Sequence, residues 1–264
     1  ANAATKYVVF GRVTPDQKRA LVHAMKAKGE TVAMTGDGVN DVLALKDADC
    51  SIAMASGSEA ASQVAQLVLM DSDFSKMPAV VAEGRRVVNN IERTASLFLV
   101  KNIFSMLLSV FSVCMVLEYP LEPAQISLIS MFTIGIPGFI MSLEPNKERI
   151  QGRFMSKVIR KALPAGLTDF LVVSAMVIFC QEFAVNAEDV STACTIIVAI
   201  VGFMILYRIA SPMNRLHWIM LIGVIAGWLL CVMEISHLFA INSISKQCAM
   251  LLIVFAMLTE PLLR

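Results

Sequence analysis

The sequence predicts an α/β part, an open doubly wound parallel sheet, followed by an all-α membrane bundle of six helices. The first observation is composition: the 264 residues are 57% hydrophobic and only 16% charged, whereas soluble domains average about 50% and 25%. The second is charge distribution, because residues 1–96 hold 11 basic and 11 acidic side chains and the longer remainder, 97–264, holds 11 and 10. The third is pattern, since short β-branched runs alternate with helical patterns only in the first part.

Strand and helix patterns alternate along the first part of the chain. The predicted strands are residues 7–10, 31–35, 51–54 and 67–70, and the helices between them are residues 15–28, 39–48 and 59–66. This order predicts parallel pairing through right-handed crossovers. In such sheets, ligands bind at the carboxyl ends of the strands.

Six apolar segments in the second part are candidates for membrane-spanning helices. They are residues 97–117, 124–143, 163–183, 190–210, 216–233 and 247–259. A helix needs about 20 residues to cross the bilayer core, and the last segment is shorter than that. Basic residues collect in the loops after the second and fourth segments, which predicts that these loops and the N-terminal part are cytoplasmic. We therefore expect a multi-pass protein of the plasma membrane.

Charge and cysteine usage exclude several other classes of protein. A formal net charge of +1 provides no bulk attraction for nucleic acid. The six cysteines are scattered singly, so no disulfide framework or zinc site is expected. The N-terminus lacks the pattern of a signal peptide and does not begin with Met, and we expect it to lie inside a longer protein.

An acidic, glycine-rich motif, GDGVND at residues 36–41, follows the second predicted strand. Asp37 lies at the end of that strand and Asp41 in the first turn of the next helix, where two carboxylates can hold Mg²⁺ and the helix N-terminus favours an anion. Lys18, near the start of the preceding helix, can neutralise a phosphate. The alternative is an ordinary turn, because Gly, Asn and Asp dominate turns.

Three stretches of the sequence resemble the signatures of P-type cation-transporting ATPases, particularly bacterial ones. They are TPDQK at residues 14–18, TGDGVND at 35–41 continued by LALKDAD at 43–49, and EGRRVVNN at 83–90. The resemblance implies the C-terminal part of a haloacid-dehalogenase-like phosphorylation domain at residues 1–76. It also implies a stalk of the fifth membrane helix at 77–96 and a transmembrane domain at 97–264.

The resemblance also implies ATP as the substrate and Mg²⁺ as the cofactor. Residues matching the family's site are Asp37 and Asp41 for Mg²⁺, Lys18 and Asn40 for the phosphate, and Thr35, Gly36 and Gly38 for the phosphate loop. In the family, the phosphate is carried by the Asp of an Asp-Lys-Thr-Gly-Thr motif, which this sequence lacks. The chain is therefore expected to be the C-terminal part of a pump, to need the N-terminal part as a partner and to be inactive alone.

Six polar residues and one proline within the first three predicted spans are candidates for a cation pathway. They are Lys101, Asn102, Ser105, Ser130, Thr133, Pro137 and Asp169. Pro137 frees a backbone carbonyl for a cation, or produces a kink that serves packing only. Lys101 lies in the pathway or extends to the membrane interface. Asp169 is a ligand, a partner of Lys101 or an interfacial acid.

The identity of the ion stays open at this stage. Ser105, Ser130 and Ile134 stand where the resembling calcium pumps carry Glu, Asn and Asp, whereas Lys101 beside Asn102 is similar to gastric proton/potassium pumps. Soft metals are disfavoured because there is no Cys-Pro-Cys. Calcium is the first expectation, with potassium, sodium or the proton as alternatives. The rival function is a non-pumping, membrane-anchored haloacid-dehalogenase-like phosphatase or pseudo-ATPase regulatory protein.

Overall fold

The charged first part and the apolar second part of the sequence fold as two units, Ala1–Val81 and Ala82–Arg264. The structure is a computed structural model and describes residues 3–183 and 185–263. The division falls inside the predicted stalk, residues 77–96. The boundaries of the phosphorylation domain, stalk and transmembrane domain remain predictions.

The first unit is built around a parallel sheet of three strands. Its elements, in order, are α1 (Ala3–Lys6), α2 (Pro15–Lys26), β1 (Ala33–Gly36), a 3₁₀ turn (Val39–Asp41), α3 (Val42–Asp47), β2 (Cys50–Met54), α4 (Glu59–Val64) and β3 (Leu67–Leu69). The strand order is β1-β2-β3, with Thr35 opposite Ile52 and Ile52 opposite Leu67. The predicted parallel α/β architecture is confirmed.

Local sequence explains where the longest helix of this unit begins. The Thr14 side chain accepts a hydrogen bond from the Gln17 amide at 3.4 Å, and the Gln17 side chain accepts one from the Thr14 amide at 3.0 Å. Pro15 occupies the first helical position, where its missing N–H costs no helical hydrogen bond. Val22 of this helix packs with Val32 and Ala44, so α2 is anchored against the start of the β1 region and α3.

One predicted strand is wrong. Residues 7–10 have no regular secondary structure, and the Val8 and Val9 side chains are 98% and 82% exposed. A strand needs a neighbour to pair its backbone groups. None of the strands in the described residues pairs with this segment, so its β-branched composition alone does not produce a strand.

The rest of the chain is helical. The helices are α5 (Met77–Met115), α6 (Pro123–Ser130), α7 (Ile136–Ser142), α8 (Phe154–Glu182), α9 (Ala187–Ile209), α10 (Arg215–Glu234) and α11 (Lys246–Leu263). A π-helical turn, Met131–Gly135, joins α6 to α7, and 3₁₀ turns lie at Phe74–Lys76 and Ser236–Phe239. At a rise of about 1.5 Å per residue, the 39 residues of α5 exceed the length needed to cross a bilayer core of about 30 Å.

Five helical segments within the described residues are long and apolar enough to cross a membrane: Phe74–Met115, Pro123–Ser142, Phe154–Glu182, Ala187–Ile209 and Arg215–Glu234. They overlap the first five predicted spans. The sixth predicted span lies in α11, which is not one of these five. Large apolar side chains remain exposed on the helices, as Val113, Ile219 and Met233 do at 79%, 70% and 76%, which suits contact with lipid and makes the chain a multi-pass membrane protein.

Small residues allow the helices of the second unit to approach one another closely. A Cβ atom added to Gly166 of α8 would lie 2.9 Å from Cβ of Ile103 on α5. A Cβ atom added to Gly202 of α9 would lie 2.7 Å from Cγ2 of Thr133 in the π turn. Small residues at helix crossings are a general means of packing membrane helices. Here they bring α8 and α9 against the two segments that carry most of the predicted pathway residues.

Candidate functional site

The predicted phosphate loop lies at the carboxyl end of β1. Thr35 and Gly36 are its last two residues, Asp37 and Gly38 follow directly, and the Ser58 amide donates a hydrogen bond of 2.6 Å to the Asp37 carbonyl. The Asp37 side chain is exposed, and its carboxylate has no protein partner among residues 3–183 and 185–263. The turn therefore fixes the backbone of this residue while leaving its carboxylate available to a ligand.

Close approaches of a side chain and of the backbone require glycine at this turn. A Cβ atom at Gly36 would lie 2.5 Å from Cβ of Asp41, and one at Gly57 would lie 2.3 Å from the Asp37 carbonyl oxygen. Real side chains do not tolerate such distances, so alanine at either position would displace the loop. Gly57 lies outside the motif, and only its place in the fold reveals its contribution.

Lys18 and Asp41 form an ion pair inside this site. Lys18 Nζ donates to Asp41 Oδ1 at 2.6 Å, and the Gly38 amide donates a longer bond of 3.4 Å to Asp41 Oδ2. Asp41 is 5% exposed and ends the 3₁₀ turn before α3, whereas Asn40 beside it is exposed. The structure thus brings Lys18 from α2 to the end of β1, and it uses the lysine to orient a buried carboxylate.

The donor set fits magnesium. Mg²⁺ prefers hard oxygen ligands and usually binds one or two carboxylates together with water and phosphate oxygens. Asp37 provides an unpartnered carboxylate and Asp41 a second one held by Lys18. Within the described residues, no group of three or more His, Cys, Asp or Glu side chains is arranged for a metal. The site therefore suits an ion that takes its remaining ligands from a phosphate and water.

A cavity of about 50 Å³ lies among the helices of the second unit. The predicted pathway residues that line it are Lys101, Ser105, Ser130, Thr133 and Asp169. They come from α5, the α6 to π-turn segment and α8, and the remaining wall is largely apolar. One water takes up roughly 10–15 Å³ of such cavity volume, so the cavity has room for a few waters or a partly dehydrated cation.

Two hydroxyl groups of this cavity are fixed by their own helix. Ser130 Oγ donates to the Ile126 carbonyl at 2.6 Å, and Thr133 Oγ1 donates to the Ile129 carbonyl at 2.8 Å. Each oxygen retains lone pairs that can face a cation. The backbone has a π turn here, and Pro137 just beyond it lacks an N–H, so the regular helical ladder is interrupted beside the cavity.

Asp169 is the buried acid of the cavity. Its side chain is 4% exposed, and its Oδ1 atom has no hydrogen-bond partner among the described residues. Lys101 lines the same cavity, although no ion pair within 4 Å joins the two groups in the described part of the chain. Its burial and its place in one cavity with Lys101 are compatible with the roles of ligand and of partner, and its role remains a prediction.

Two predicted pathway residues lie elsewhere. Asn102 is exposed and does not line the cavity, because consecutive helical residues are rotated by about 100° and Lys101 takes the inward position. Pro137 is buried in α7 but also lies outside the cavity lining, so its side chain does not face the cavity.

Tyr119 was not anticipated from the sequence. It lines the cavity, and its hydroxyl lies 3.3 Å from Ser105 Oγ. It lies in the loop between α5 and α6, beyond the apolar segments searched for polar residues. The only sequence signal was an aromatic residue next to a span boundary, which is common at membrane interfaces.

A second polar cluster was also missed, because its members are far apart in sequence. The Glu144 carboxylate accepts hydrogen bonds from Arg93 Nη1 at 2.6 Å and Asn214 Nδ2 at 2.6 Å, and it lies 2.9 Å from His217 Nε2. Burial raises the pKa of Glu144, but the hydrogen bond from His217 and the charge of Arg93 outweigh it, so the pKa is lowered overall. The cluster joins α5, the segment after α7 and the start of α10.

Comparisons with known proteins find one family model and several transporters that match this chain. A family model described as haloacid dehalogenase-like hydrolase matches residues 2–49, which contain Lys18, Asp37 and Asp41. The chain is 45% identical over 228 residues to the calcium-transporting ATPase CtpE of Mycobacterium tuberculosis, covering 80% of this chain and 28% of the relative.

Two further relatives extend the comparison. The probable cation-transporting ATPase exp7 of Streptococcus pneumoniae is 36% identical over 254 residues, covering 92% of this chain and 33% of the relative. The P-type sodium-transporting ATPase4 of Toxoplasma gondii is 37% identical over 141 residues, or 53% of this chain and 10% of the relative. The chain thus spans about a third or less of each of these relatives.

Proposed function

The chain belongs to the P-type cation-transporting ATPases, and from this premise we propose that it is the C-terminal part of an ATP-driven cation pump. The observation that carries the proposal is the Lys18–Asp41 ion pair at the end of β1, beside the unpartnered carboxylate of Asp37. These residues suit a phosphoryl group, and the same chain continues into helices of membrane-spanning length.

In the proposed reaction, the residues of this chain complete a phosphorylation site whose phosphorylated aspartate lies on a segment outside the chain. Mg²⁺, when bound to Asp37 and Asp41, neutralises phosphate charge. Lys18 holds Asp41 in place, Asn40 supports the phosphate, and the turn built by Thr35, Gly36 and Gly38 keeps the backbone close to it. ATP is the substrate, and the missing N-terminal part is the partner without which this chain is inactive.

We place the transported cation in the cavity lined by Lys101, Ser105, Ser130, Thr133 and Asp169. Calcium is the first candidate for this cation, because a relative that is 45% identical to the chain is named a calcium-transporting ATPase. A monovalent cation or the proton is the second candidate. The donor set favours this alternative. Among the described residues, Asp169 is the one carboxylate of the cavity lining and Lys101 adds a positive charge, whereas calcium usually takes 6–8 oxygens.

The proposed pump lies in the plasma membrane with its N-terminal part in the cytoplasm, as the basic loops indicate. The rival non-pumping phosphatase or regulatory protein differs in one observable. A pump forms a covalent phosphoenzyme from ATP, and its formation depends on the transported cation, whereas the rival forms none.

The test uses the full-length protein that contains this chain. We expect acid-stable phosphorylation from ATP in the wild type and its loss in Asp37→Asn, with Asp71→Asn as the control because Asp71 is exposed and outside the site. Unchanged phosphorylation in Asp37→Asn would contradict the site. Comparing calcium, potassium, sodium and protons as stimulators of phosphorylation then identifies the ion.

A further inference from the structure

A groove between α8 and α9 combines positive charge with an apolar floor. Its volume is about 380 Å³, within the range of about 300–1,000 Å³ that is usual for small-ligand sites. Arg160 and Lys161 of α8 and Arg208 of α9 line it, and its floor includes Ala165, Ile205 and Ile209. No predicted phosphate or pathway residue takes part in it.

The topology places these cations at one end of the two spans. α8 and α9 are consecutive helices, α8 ending at Glu182 and α9 beginning at Ala187, and they pack against each other. The start of α8 therefore lies beside the end of α9, which brings Arg160 and Arg208 together. Lipid headgroups contact membrane-spanning helices near their ends.

The groove retains positive charge at Arg160, although Lys161 and Arg208 each interact with other groups of the protein. Glu92 pairs with Lys161 at 2.8 Å and with Lys157 at 3.4 Å, so one carboxylate serves two lysines. Arg160 is exposed, and no hydrogen bond or ion pair engages it within the described residues. An anion in the groove would thus meet a guanidinium that the protein leaves unneutralised.

An apolar track leads away from the charged end. Pro164, Leu167 and Leu171 follow Arg160 at the i+4, i+7 and i+11 positions, which share one helical face. All three are exposed, Leu167 at 39% and Leu171 at 53%. A free anion would make no use of such a track, whereas an amphiphile would cover it with an acyl chain.

We propose that this groove binds an anionic phospholipid. The headgroup phosphate lies between Arg160, Lys161 and Arg208, and an acyl chain runs along Leu167 and Leu171. Basic pockets between membrane helices bind anionic headgroups by the same combination of charge and apolar contact. The groove lies apart from the cation cavity, so the transported ion does not determine what it binds.

The experiment measures binding of fluorescent phosphatidylglycerol to the purified full-length protein in detergent by anisotropy. A positive charge near the headgroup contributes about 1 kcal/mol, so Arg160→Gln should weaken binding about fivefold and Arg160→Glu should weaken it further. Arg149→Gln is the matched control, because Arg149 is an exposed cation between α7 and α8 outside the groove. We expect its affinity to stay within about twofold of wild type.

Competitors distinguish the sources of the bound anion. Unlabelled phosphatidylglycerol should displace the probe, whereas phosphatidylcholine and inorganic phosphate should not. Displacement by inorganic phosphate would make this a site for a free anion, and displacement by phosphatidylcholine would make it an unselective lipid contact. Either result, or an unchanged affinity in Arg160→Glu, overturns the proposal.

Discussion

A single buried carboxylate determines the character of the cavity. Asp169 has an oxygen without a partner among the described residues and shares its cavity with the ammonium group of Lys101. Burying an unpaired carboxylate costs several kcal/mol, roughly, unless a ligand or a counter-charge compensates it. In the proposed pump, Asp169 is the group whose charge a bound cation would neutralise.

We predict that Asp169→Asn weakens cation binding without unfolding the protein, because the amide keeps the shape of the side chain and removes its charge. The concentration of cation needed for half-maximal phosphorylation should rise about tenfold or more, corresponding to at least about 1.4 kcal/mol. Glu182→Gln, at the exposed end of α8, is the control. An unchanged cation dependence would remove Asp169 from the pathway.

The Glu144 carboxylate makes the stability of the protein sensitive to acid. The pKa of Glu144 is lowered in the folded protein, so the stabilisation from its ionised form is complete above the usual glutamate pKa of about 4.3 and is lost as the pH falls through the lower folded value. We predict that the thermal unfolding temperature of the wild type drops over this acidic window. In Glu144→Gln, the unfolding temperature should depend less steeply on pH, and it should already be lower above that pH range.

If the unfolding temperature depends equally steeply on pH in the wild type and in Glu144→Gln, then the ionisation of Glu144 is not coupled to folding. Arg93, His217 and Asn214 face this carboxylate, so His217→Gln is a useful second variant. It keeps a polar side chain near Glu144 and removes the imidazole that helps to lower the pKa of Glu144.

The place where α9 packs against the π turn determines the shape of the cavity. Gly202 contacts the side chain of Thr133 so closely that any larger residue would push the two segments apart. Thr133 lines the cavity, and Gly202 lines it too. The position of the Thr133 hydroxyl group therefore depends on a residue that has no functional group.

We predict that Gly202→Ala raises the cation concentration for half-maximal phosphorylation several-fold, since overpacking typically costs about 1–3 kcal/mol and displaces neighbouring atoms. Gly223→Ala in α10 is the matched control, because a Cβ atom there would meet nothing within 4 Å. If both variants behave alike, the close contact at Gly202 has no bearing on the cavity.

For the whole molecule, the helix order and the basic loops predict the topology. The segment between α7 and α8 should face the cytoplasm, and the segment between α8 and α9 the opposite side. We predict that Gln151→Cys is labelled by a membrane-impermeant maleimide in inverted vesicles and Glu182→Cys in intact spheroplasts. The background protein has Ser in place of the exposed Cys50 and Cys114. The reverse labelling pattern would invert the proposed orientation.

Much of this architecture follows from local sequence. Short β-branched runs between helical patterns predict β1, β2 and β3. Long apolar segments predict α5 to α10. Both patterns reflect the burial or the lipid contact of a single element. The motif at residues 36–41 is similarly local. Residues 7–10 show the limit of such reasoning, since a strand exists only when another strand pairs with it.

The sequence alone determined the fold class, the first five membrane-spanning segments, the family signatures and most of the polar candidates. Its sixth predicted span, in α11, is not among the spanning helices of the described residues. Tertiary structure decided which candidates meet. It brought Lys18 onto Asp41, gathered Lys101 and Asp169 around one cavity with Tyr119, and left Asn102 outside. The physical reason is that periodicity reports the environment of each element separately, whereas contacts between distant residues depend on how helices cross and on the small residues that let them approach.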